Sequence, residues 1–278
     1  MIPARVGVLG GGRMGAGIAH AFLMAGSHVK IVERDEETAI AAGERVGEAV
    51  QASADRGLQR RPGGSLGTAW DVIQFTGCEL VIEAVPEDLD LKTDALRRVE
   101  AVLAPEAVIA SNTSSISIHT LAAALDRPAR LIGLHFFNPV PASQLVEIVV
   151  GVRTDPELAD RARGWVESLG KTPITVRDVP GFASSRLGMA IGLEAIRMLE
   201  SGVASAEDID LAMTLGYKHP VGPLRLTDLV GLDVRLGIAE YLHAELGDRF
   251  EPPALLRQLV AEGKLGRKTG EGFFTWQD

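Results

Sequence analysis

The chain has 278 residues, of which 46% are hydrophobic and 23% charged, and its formal net charge at pH 7 is −9. This balance is typical of a globular protein with one or two domains, and it argues against nucleic acid or a membrane surface as the main partner. The single cysteine excludes an internal disulfide, no apolar run reaches the roughly 18 residues of a membrane span, and spaced Cys/His pairs for a metal site are missing. We therefore expect a cytoplasmic protein that acts on a small molecule.

The first motif is a glycine-rich turn, GGGRMG over residues 10–15, between a β-rich run and a segment with helical spacing. In a dinucleotide-binding βαβ unit, Gly10 permits the turn, Gly12 lets the backbone approach a pyrophosphate, and Gly15 lets helix and strand pack closely. The helix N-terminus supplies N–H groups and a positive dipole for the phosphates. A glycine turn that binds no nucleotide is the alternative.

The next predicted strand, 29–32, is followed by Glu33, eighteen residues after Gly15. A carboxylate here would accept hydrogen bonds from both hydroxyls of an adenosine ribose. It would also repel a 2′-phosphate, which favours NAD over NADP even with Arg34 next to it.

Helices and strands alternate beyond this point, in the predicted order helix 36–56, strand 71–76, strand 80–85, helix 90–103, strand 107–110, helix 117–125 and strand 131–136. This alternation predicts an α/β fold with a Rossmann-type, doubly wound and mainly parallel sheet whose crevice carries the cofactor. The glycine-rich stretch from 57 to 67 is predicted as an exposed loop, and the arginines at 56, 60 and 61 either hold an anionic group or are merely solvated.

Polar residues follow two of these strands. Glu87 and Lys92 come after strand 80–85, and SNTSS at 111–115 follows strand 107–110. The carboxyl ends of parallel strands meet bound ligands, but small polar residues suit a helix cap equally well.

His135 stands at the end of the apolar run 131–136, and Glu147 interrupts the apolar run 145–150. An imidazole accepts and returns protons near neutrality, and a carboxylate can fix its tautomer. These two residues are therefore a candidate base and its orienting group, although a histidine in an apolar setting is often a hydrogen-bonded core residue.

Taken together, these motifs resemble those of the L-3-hydroxyacyl-CoA dehydrogenases, a family that includes 3-hydroxybutyryl-CoA dehydrogenase. The resemblance covers nearly the whole chain. The matching pieces are the glycine turn with Glu33, VIEAVPEDLDLK ending at Lys92, SNTSS, LHFFNPVP at 134–141, the strand with Glu147, Pro180-Gly181-Phe182 and LGRKTGEGFF at 265–274.

The resemblance implies reversible oxidation of an acyl-CoA substrate in fatty-acid metabolism such as β-oxidation. His135 would take the proton of the 3-hydroxyl as hydride leaves for NAD, Glu147 would hold the imidazole, and Ser114 would hydrogen-bond the substrate oxygen. The cofactor-binding residues implied are Gly10, Gly12, Met14, Gly15, Glu33, Glu87, Lys92, Asn138 beside the nicotinamide ribose, and Lys268.

The sequence departs from the family pattern at two places. Ser185 stands where similar enzymes have an asparagine that contacts the reacting oxygen, and we expect the shorter side chain to change rate or specificity. The segment 55–67 is shorter than the family's helical hairpin, and Arg56 is the nearest match to a lysine that meets coenzyme A.

The last third of the chain is predicted to be helical. A helix to about 169 and a strand at 172–176 close an NAD-binding domain over 1–179, and helices at 182–200, 206–215, 232–246 and 254–262 form a substrate and dimerisation domain over 180–278. Ser205-Ala206-Glu207-Asp208 is predicted as a capping box that opens the helix 206–215. The residues 217–223 are predicted as a turn, with His219 structural rather than catalytic. Small side chains suit either a homodimer interface, as the resemblance implies, or a core helix. They are Gly188, Ala190, Gly192 and Ala195.

Two other functions fit the same residues. One is a dehydrogenase of this fold that acts on a free hydroxy acid or sugar acid. The other is a protein that binds NAD(H) without turnover.

Overall fold

The structure is a computed structural model that describes residues 2–277. It has an N-terminal unit that ends at Val179 and a C-terminal unit that begins at Pro180. Among the described residues, no helix is long and apolar enough to cross a membrane, and no group of three or more His, Cys, Asp or Glu side chains is arranged to hold a metal ion.

The N-terminal unit is built on one eight-stranded sheet. Its strands are β1 (Arg5–Leu9), β2 (His28–Val32), β3 (Leu66–Ala69), β4 (Leu80–Glu83), β5 (Val108–Ser111), β6 (Leu131–Phe136), β7 (Leu145–Val150) and β8 (Thr172–Arg177). Their order is β3-β2-β1-β4-β5-β6-β7-β8, and every neighbouring pair is parallel except β6 and β7. The predicted Rossmann-type, mainly parallel α/β fold is confirmed.

The helices of this unit are α1 (Arg13–Met24), α2 (Glu36–Asp55), α3 (Leu89–Val102), α4 (Ile118–Ala122) and α5 (Pro156–Ser168). The central strands β4, β5 and β6 are buried at every residue, as expected for parallel strands covered on both faces. A single apolar core includes Val8 and Ile31 of the sheet and Phe22 of α1. This packing fixes the carboxyl ends of β4, β5 and β6, where the candidate site residues lie.

One strand prediction is wrong. Residues Val72–Phe75 form a 3-10 helix, which Asp71 caps by accepting a hydrogen bond from Ile73 N. The strand is instead Leu66–Ala69, which begins in the last two residues of the predicted loop 57–67 and pairs with β2 at the sheet edge. An edge strand of four partly exposed residues has no continuous apolar run, so its pattern is that of a loop.

The C-terminal unit consists of the helices α6 (Ser184–Glu200), α7 (Ala206–Gly216), α8 (Pro223–Val230), α9 (Leu232–Leu246) and α10 (Ala254–Ala261). Its own core includes Leu193 of α6, Leu224 of α8 and Leu242 of α9. The side chain of Ser205 accepts a hydrogen bond from Asp208 N, so the predicted cap of α7 is confirmed.

Helix α8 is missing from the predicted elements. The Asp210 carboxylate, from α7, accepts hydrogen bonds from Leu224 N and Arg225 N at the first turn of α8. A cap that comes from another helix has no local sequence signature, whereas Ser205 caps its own helix and is recognisable.

Candidate active site

His135 and Glu147 face each other across the one antiparallel pair of the sheet. They are register partners on β6 and β7, and directly opposite residues project from the same face. His135 Nδ1 lies 2.7 Å from Glu147 Oε2, and the two side chains are 9% and 0% exposed. A carboxylate at this distance accepts a hydrogen bond from Nδ1–H, which places the lone pair of a neutral imidazole on Nε2. The pair has the geometry of a base with its orienting group.

The local sequence explains why these strands come so close. A Cβ on Gly133 would lie 2.6 Å from Val149 Cβ and 3.0 Å from Ile118 Cδ1, so only glycine lets β6 lie against β7 and α4 here. At the exit of β6, Phe136 N donates a hydrogen bond of 2.9 Å to Asn112 Oδ1. This bond fixes the SNTSS segment next to the strand that carries His135.

Glu87 is the centre of a second cluster, formed by the SNTSS segment. Its Oε1 atom accepts hydrogen bonds from Thr113 Oγ1 (2.7 Å), Ser114 N (2.9 Å), Ser115 N (3.0 Å), Ser115 Oγ (3.0 Å) and Ser114 Oγ (3.2 Å). The cap of α4 is Ser117, which accepts from Thr120 N. SNTSS therefore surrounds Glu87 rather than capping the helix.

Lys92 lies beneath Glu87. Its ammonium donates to Glu83 Oε1 at 2.7 Å and to the Val85 carbonyl at 3.0 Å, and it is 3.3 Å from Glu87 Oε2. Ser111 Oγ donates to the other Glu83 oxygen. Lys92 is 1% exposed, so its ammonium does not lie at the surface. Within the described residues it binds the carboxylates of Glu83 and Glu87 and holds them in place.

The pKa values of Glu83 and Glu87 are shifted in opposite directions, although burial acts to raise both. Burial raises the pKa of Glu83, and this outweighs the opposing effects of Lys92, Ser111 and the Val85 N–H. Burial also acts to raise the pKa of Glu87, but there the charge of Lys92 and the hydrogen bonds from the SNTSS segment outweigh it, so the pKa lies below its ordinary value. Glu87 is therefore held as a carboxylate at neutral pH.

The glycine turn has the shape that a pyrophosphate requires. Gly10 has φ +90°, a Cβ on Gly15 would collide with the Gly10 carbonyl oxygen, and a Cβ on Gly12 would meet nothing within 4 Å. Gly12 is also the N-cap of α1, and its cap position has no side-chain hydrogen bond. Open space in front of uncapped N–H groups fits the phosphates of a dinucleotide.

Glu33 is held beside this turn. Its Oε1 accepts a hydrogen bond of 2.5 Å from Gly11 N, and its Oε2 accepts one from Arg34 N. Met14 is partly buried against the core at the start of α1. The carboxylate stands at the end of β2, where the ribose of a bound dinucleotide would need it.

The other predicted residues are placed as follows. Asn138 is exposed just after β6, and Arg56 is exposed at the C-cap of α2, where its Nε donates to the Ala52 carbonyl. Ser185 and Lys268 belong to the C-terminal unit, with Ser185 in the first turn of α6. Lys268 Nζ lies 2.6 Å from Asp233 Oδ1. Burial acts to raise the pKa of Asp233, but the hydrogen bond and charge of Lys268, together with hydrogen bonds from backbone N–H groups, outweigh it and lower the pKa.

The partner of Glu83, which is Lys92, and the partner of Asn112, which is Phe136 N, were not predicted from the sequence. Glu83 had a signal, since it is a carboxylate in the otherwise apolar run of β4, as Glu147 is in β7. Asn112 had none, because its partner, Phe136 N, is on a strand 24 residues away.

Comparison with known proteins decides the family. The model described as 3-hydroxyacyl-CoA dehydrogenase, NAD binding domain, matches residues 5–179, and the model of the C-terminal domain of the same enzymes matches residues 181–276. The chain belongs to the 3-hydroxyacyl-CoA dehydrogenase family. It is an NAD-dependent dehydrogenase, and the sheet with the glycine turn is its NAD-binding domain.

Three full-length relatives illustrate the match. A probable 3-hydroxybutyryl-CoA dehydrogenase of Deinococcus radiodurans is 42% identical over 277 residues, covering 98% of this chain and 100% of the relative. The crystal structure of Mycobacterium tuberculosis FadB2 superimposes with a TM-score of 0.94 at 39% identity and covers 100% of both chains. That of (S)-3-hydroxybutyryl-CoA dehydrogenase PaaH1 from Ralstonia eutropha gives 0.93 at 36% identity, covering 99% of this chain and 100% of the other.

Proposed function

We propose that this family member oxidises an L-3-hydroxyacyl-CoA reversibly to the 3-oxoacyl-CoA, with 3-hydroxybutyryl-CoA as a substrate. The observation that carries the proposal is the 2.7 Å contact between His135 and Glu147 at the end of β6, next to the SNTSS segment. The names of the full-length relatives support the same substrate class.

The chemistry divides between the cofactor and the chain. NAD, when bound, supplies the acceptor for the hydride from C3. His135 Nε2 takes the proton of the 3-hydroxyl, while the Glu147 carboxylate accepts the hydrogen bond from Nδ1–H and stabilises the imidazolium that forms. In the reverse direction His135 returns the proton to the 3-oxygen. One proton and one hydride leave the substrate, and the C3–O bond becomes a carbonyl.

The remaining polar residues are proposed to bind and orient. Ser114 turns its hydroxyl from Glu87 Oε1, at 3.2 Å, to hydrogen-bond the substrate oxygen, and Asn138 lies by the nicotinamide ribose. Glu33 accepts from the adenosine ribose, and Gly10, Gly12, Met14 and Gly15 form the pyrophosphate turn. Glu87 and Lys268 complete the cofactor contacts, with Lys92 acting through Glu87. Arg56 is proposed as a weak contact of coenzyme A.

Ser185 is proposed to meet the reacting oxygen with a shorter reach than the asparagine of similar enzymes. We expect Ser185→Asn to raise kcat by about threefold to tenfold and to change KM by less, because a contact to developing charge strengthens in the transition state. Steady-state kinetics with 3-hydroxybutyryl-CoA checks this. An unchanged kcat would show that position 185 does not touch the reacting group.

One substrate comparison tests the function. NADH formation is followed with 3-hydroxybutyryl-CoA, free 3-hydroxybutyrate and L-gulonate at equal concentrations. We expect turnover of the thioester alone. Faster turnover of either free acid would support the alternative of a hydroxy-acid or sugar-acid dehydrogenase. NADH binding with no turnover of any of the three would support a non-catalytic NAD(H)-binding protein.

We also infer a homodimer formed through the C-terminal unit. Its helices and the turn after α7 expose large apolar side chains, among them Leu187 (64%), Leu215 (68%) and Tyr217 (75%). We propose that these side chains form one apolar patch, which is typical of an association site. The small side chains of α6 do not form one outward face, since Gly192 and Ala195 are buried.

Sedimentation velocity tests the dimer. We expect a dimer at about 10 μM, dissociated by the double substitution Leu187→Glu with Leu215→Glu. The control is Leu58→Glu, which places the same charge on an exposed leucine of the N-terminal unit and should leave the dimer intact. A monomeric wild type would refute the inference.

A cytoplasmic location is the remaining inference. It is supported by the single cysteine, Cys78, whose burial raises the pKa of its thiol to about 11. A chain that uses no disulfide suits a reducing compartment. Cell fractionation with an antibody to the protein would place it.

A further inference from the structure

Arg235 is a buried charge in the apolar stripe of α9. The inward-facing residues of this helix are Leu232, Arg235, Ala239 and Leu242, with the three-and-four spacing of a core-facing stripe. Arg235 is 7% exposed. A guanidinium in the middle of such a stripe requires an explanation, because arginine is almost never buried without a partner.

No carboxylate within residues 2–277 forms an ion pair with Arg235. Its Nη1 donates a hydrogen bond of 3.4 Å to the Met189 sulfur, a weak acceptor, and among the described residues its buried Nε has no hydrogen-bond partner. Burial lowers the pKa of Arg235 to about 10, which leaves it charged at neutral pH. Within residues 2–277 this buried positive charge therefore has no ion-pair partner, and a bound ligand that carries a carboxylate could supply one.

The Arg235 guanidinium lies beside α6, the helix that carries Ser185. A Cβ on Gly188 would lie 3.4 Å from Arg235 Nη1, so Gly188 and Met189 are the residues of α6 that adjoin the guanidinium. They follow Ser185 by three and four residues and so lie on the same helix face. Four residues correspond to about 6 Å along the helix.

We propose that Arg235 binds a carboxylate at the far end of the acyl group, so that the preferred substrates are 3-hydroxyacyl-CoA thioesters whose acyl chain ends in a carboxylate. This rests on the proposed function and on the contact of Ser185 with the 3-oxygen. A carboxylate carbon three bonds beyond C3, at about 1.5 Å per bond, extends to about 6 Å once its own C–O bond of about 1.2 Å is added. The planar donors of a guanidinium match a carboxylate in two hydrogen bonds.

A carboxylate from a second copy of the chain is the competing occupant. Arg235 faces inward with Leu232 and Ala239, whereas the neighbouring Val234 is 44% exposed. A second copy that packed on α9 would meet Val234 rather than Arg235, so the substrate is the favoured occupant. The two occupants predict different results when Arg235 is replaced.

The test compares 3-hydroxyadipyl-CoA with 3-hydroxyhexanoyl-CoA, which have six acyl carbons each and differ in the terminal carboxylate. In the wild type we expect kcat/KM to be at least about tenfold higher for 3-hydroxyadipyl-CoA. Arg235→Met should lower the ratio of the two kcat/KM values by about 30-fold, the size of one charge-assisted pair. Arg235→Lys, which keeps the charge without the planar fork, should give an intermediate ratio.

Arg257→Met is the matched control, because Arg257 is exposed and paired with Glu240, and it should leave the ratio unchanged. A wild type that prefers 3-hydroxyhexanoyl-CoA overturns the proposal whether or not the Met variant folds. So does an Arg235→Met variant that keeps the ratio, or one that only dissociates a dimer. If the wild type oxidises neither thioester, the proposed function is wrong and this inference falls with it.

Discussion

Glu83 and Glu147 are both carboxylates on strands of one sheet, and neither side chain is exposed, yet their partners give them different chemistry. Glu83 binds Lys92, Ser111 and the Val85 N–H, which only donate to it, and Lys92 is as buried as the glutamate. Glu147 binds an imidazole, a group that can accept and return a proton. Both glutamates give the same sequence signal, a carboxylate in an apolar strand. Glu83 belongs to a buried ion pair with Lys92 that acts as a support of the fold, whereas Glu147 belongs to a proposed proton-transfer pair with His135.

The largest effect on stability is expected when the buried pair of Lys92 and Glu83 is broken. Lys92→Met leaves Glu83 buried without its counter-charge, and we expect the free energy of unfolding to fall by about 3–5 kcal/mol. Urea unfolding measures this. The double variant Lys92→Met with Glu83→Leu should recover most of the loss, since it removes both charges. A loss below about 1 kcal/mol for Lys92→Met would contradict the assignment of this pair as a support.

The second prediction concerns the proton-transfer pair. Glu147→Gln preserves the shape of the side chain but removes its charge, so we expect kcat to fall by about 100-fold with little change in the KM for NAD. Its loss of unfolding free energy should be smaller than that of Lys92→Met. If Glu147→Gln destabilised the fold strongly but left kcat within threefold of wild type, the two glutamates would have the same role.

A smaller, pH-dependent effect is expected at Glu87. Its pKa is lower in the folded chain than the ordinary value of 4.5, so the unfolded chain binds more protons between those two values. The stability contributed by Glu87 is therefore fully present above pH 4.5 and is lost as the pH falls through the folded pKa. Urea unfolding of wild type and Glu87→Gln between pH 3 and pH 7 should show their difference shrinking toward acid. A difference that grows toward acid would reverse this sign.

Local patterns predicted the parts of the molecule that local interactions form. The glycine turn, the alternation of strands and helices that indicated the Rossmann-type fold, and the Ser205 cap each depend on neighbours in the chain. β3 was misplaced because an edge strand needs only its partner β2, and α8 was missed because Asp210 caps it from another helix.

At the candidate site, the placement of His135 opposite Glu147 agrees with the predicted pairing of base and orienting group, and their catalytic roles remain proposals. The partnership of Lys92 with Glu83, and the absence of any carboxylate beside Arg235 among the described residues, became visible only in three dimensions. Both depend on which side chains the packing of helices and strands brings together, and the spacing of residues along the chain does not predict such contacts.

The central claim is that His135 transfers the proton. The most direct measurement is the single-turnover rate of NADH formation from 3-hydroxybutyryl-CoA by wild type and His135→Gln, with the Kd for NADH measured on both. We predict a rate about a thousandfold lower in the variant, within the range of general acid–base catalysis, and an unchanged Kd. A His135→Gln rate within tenfold of wild type would contradict the account.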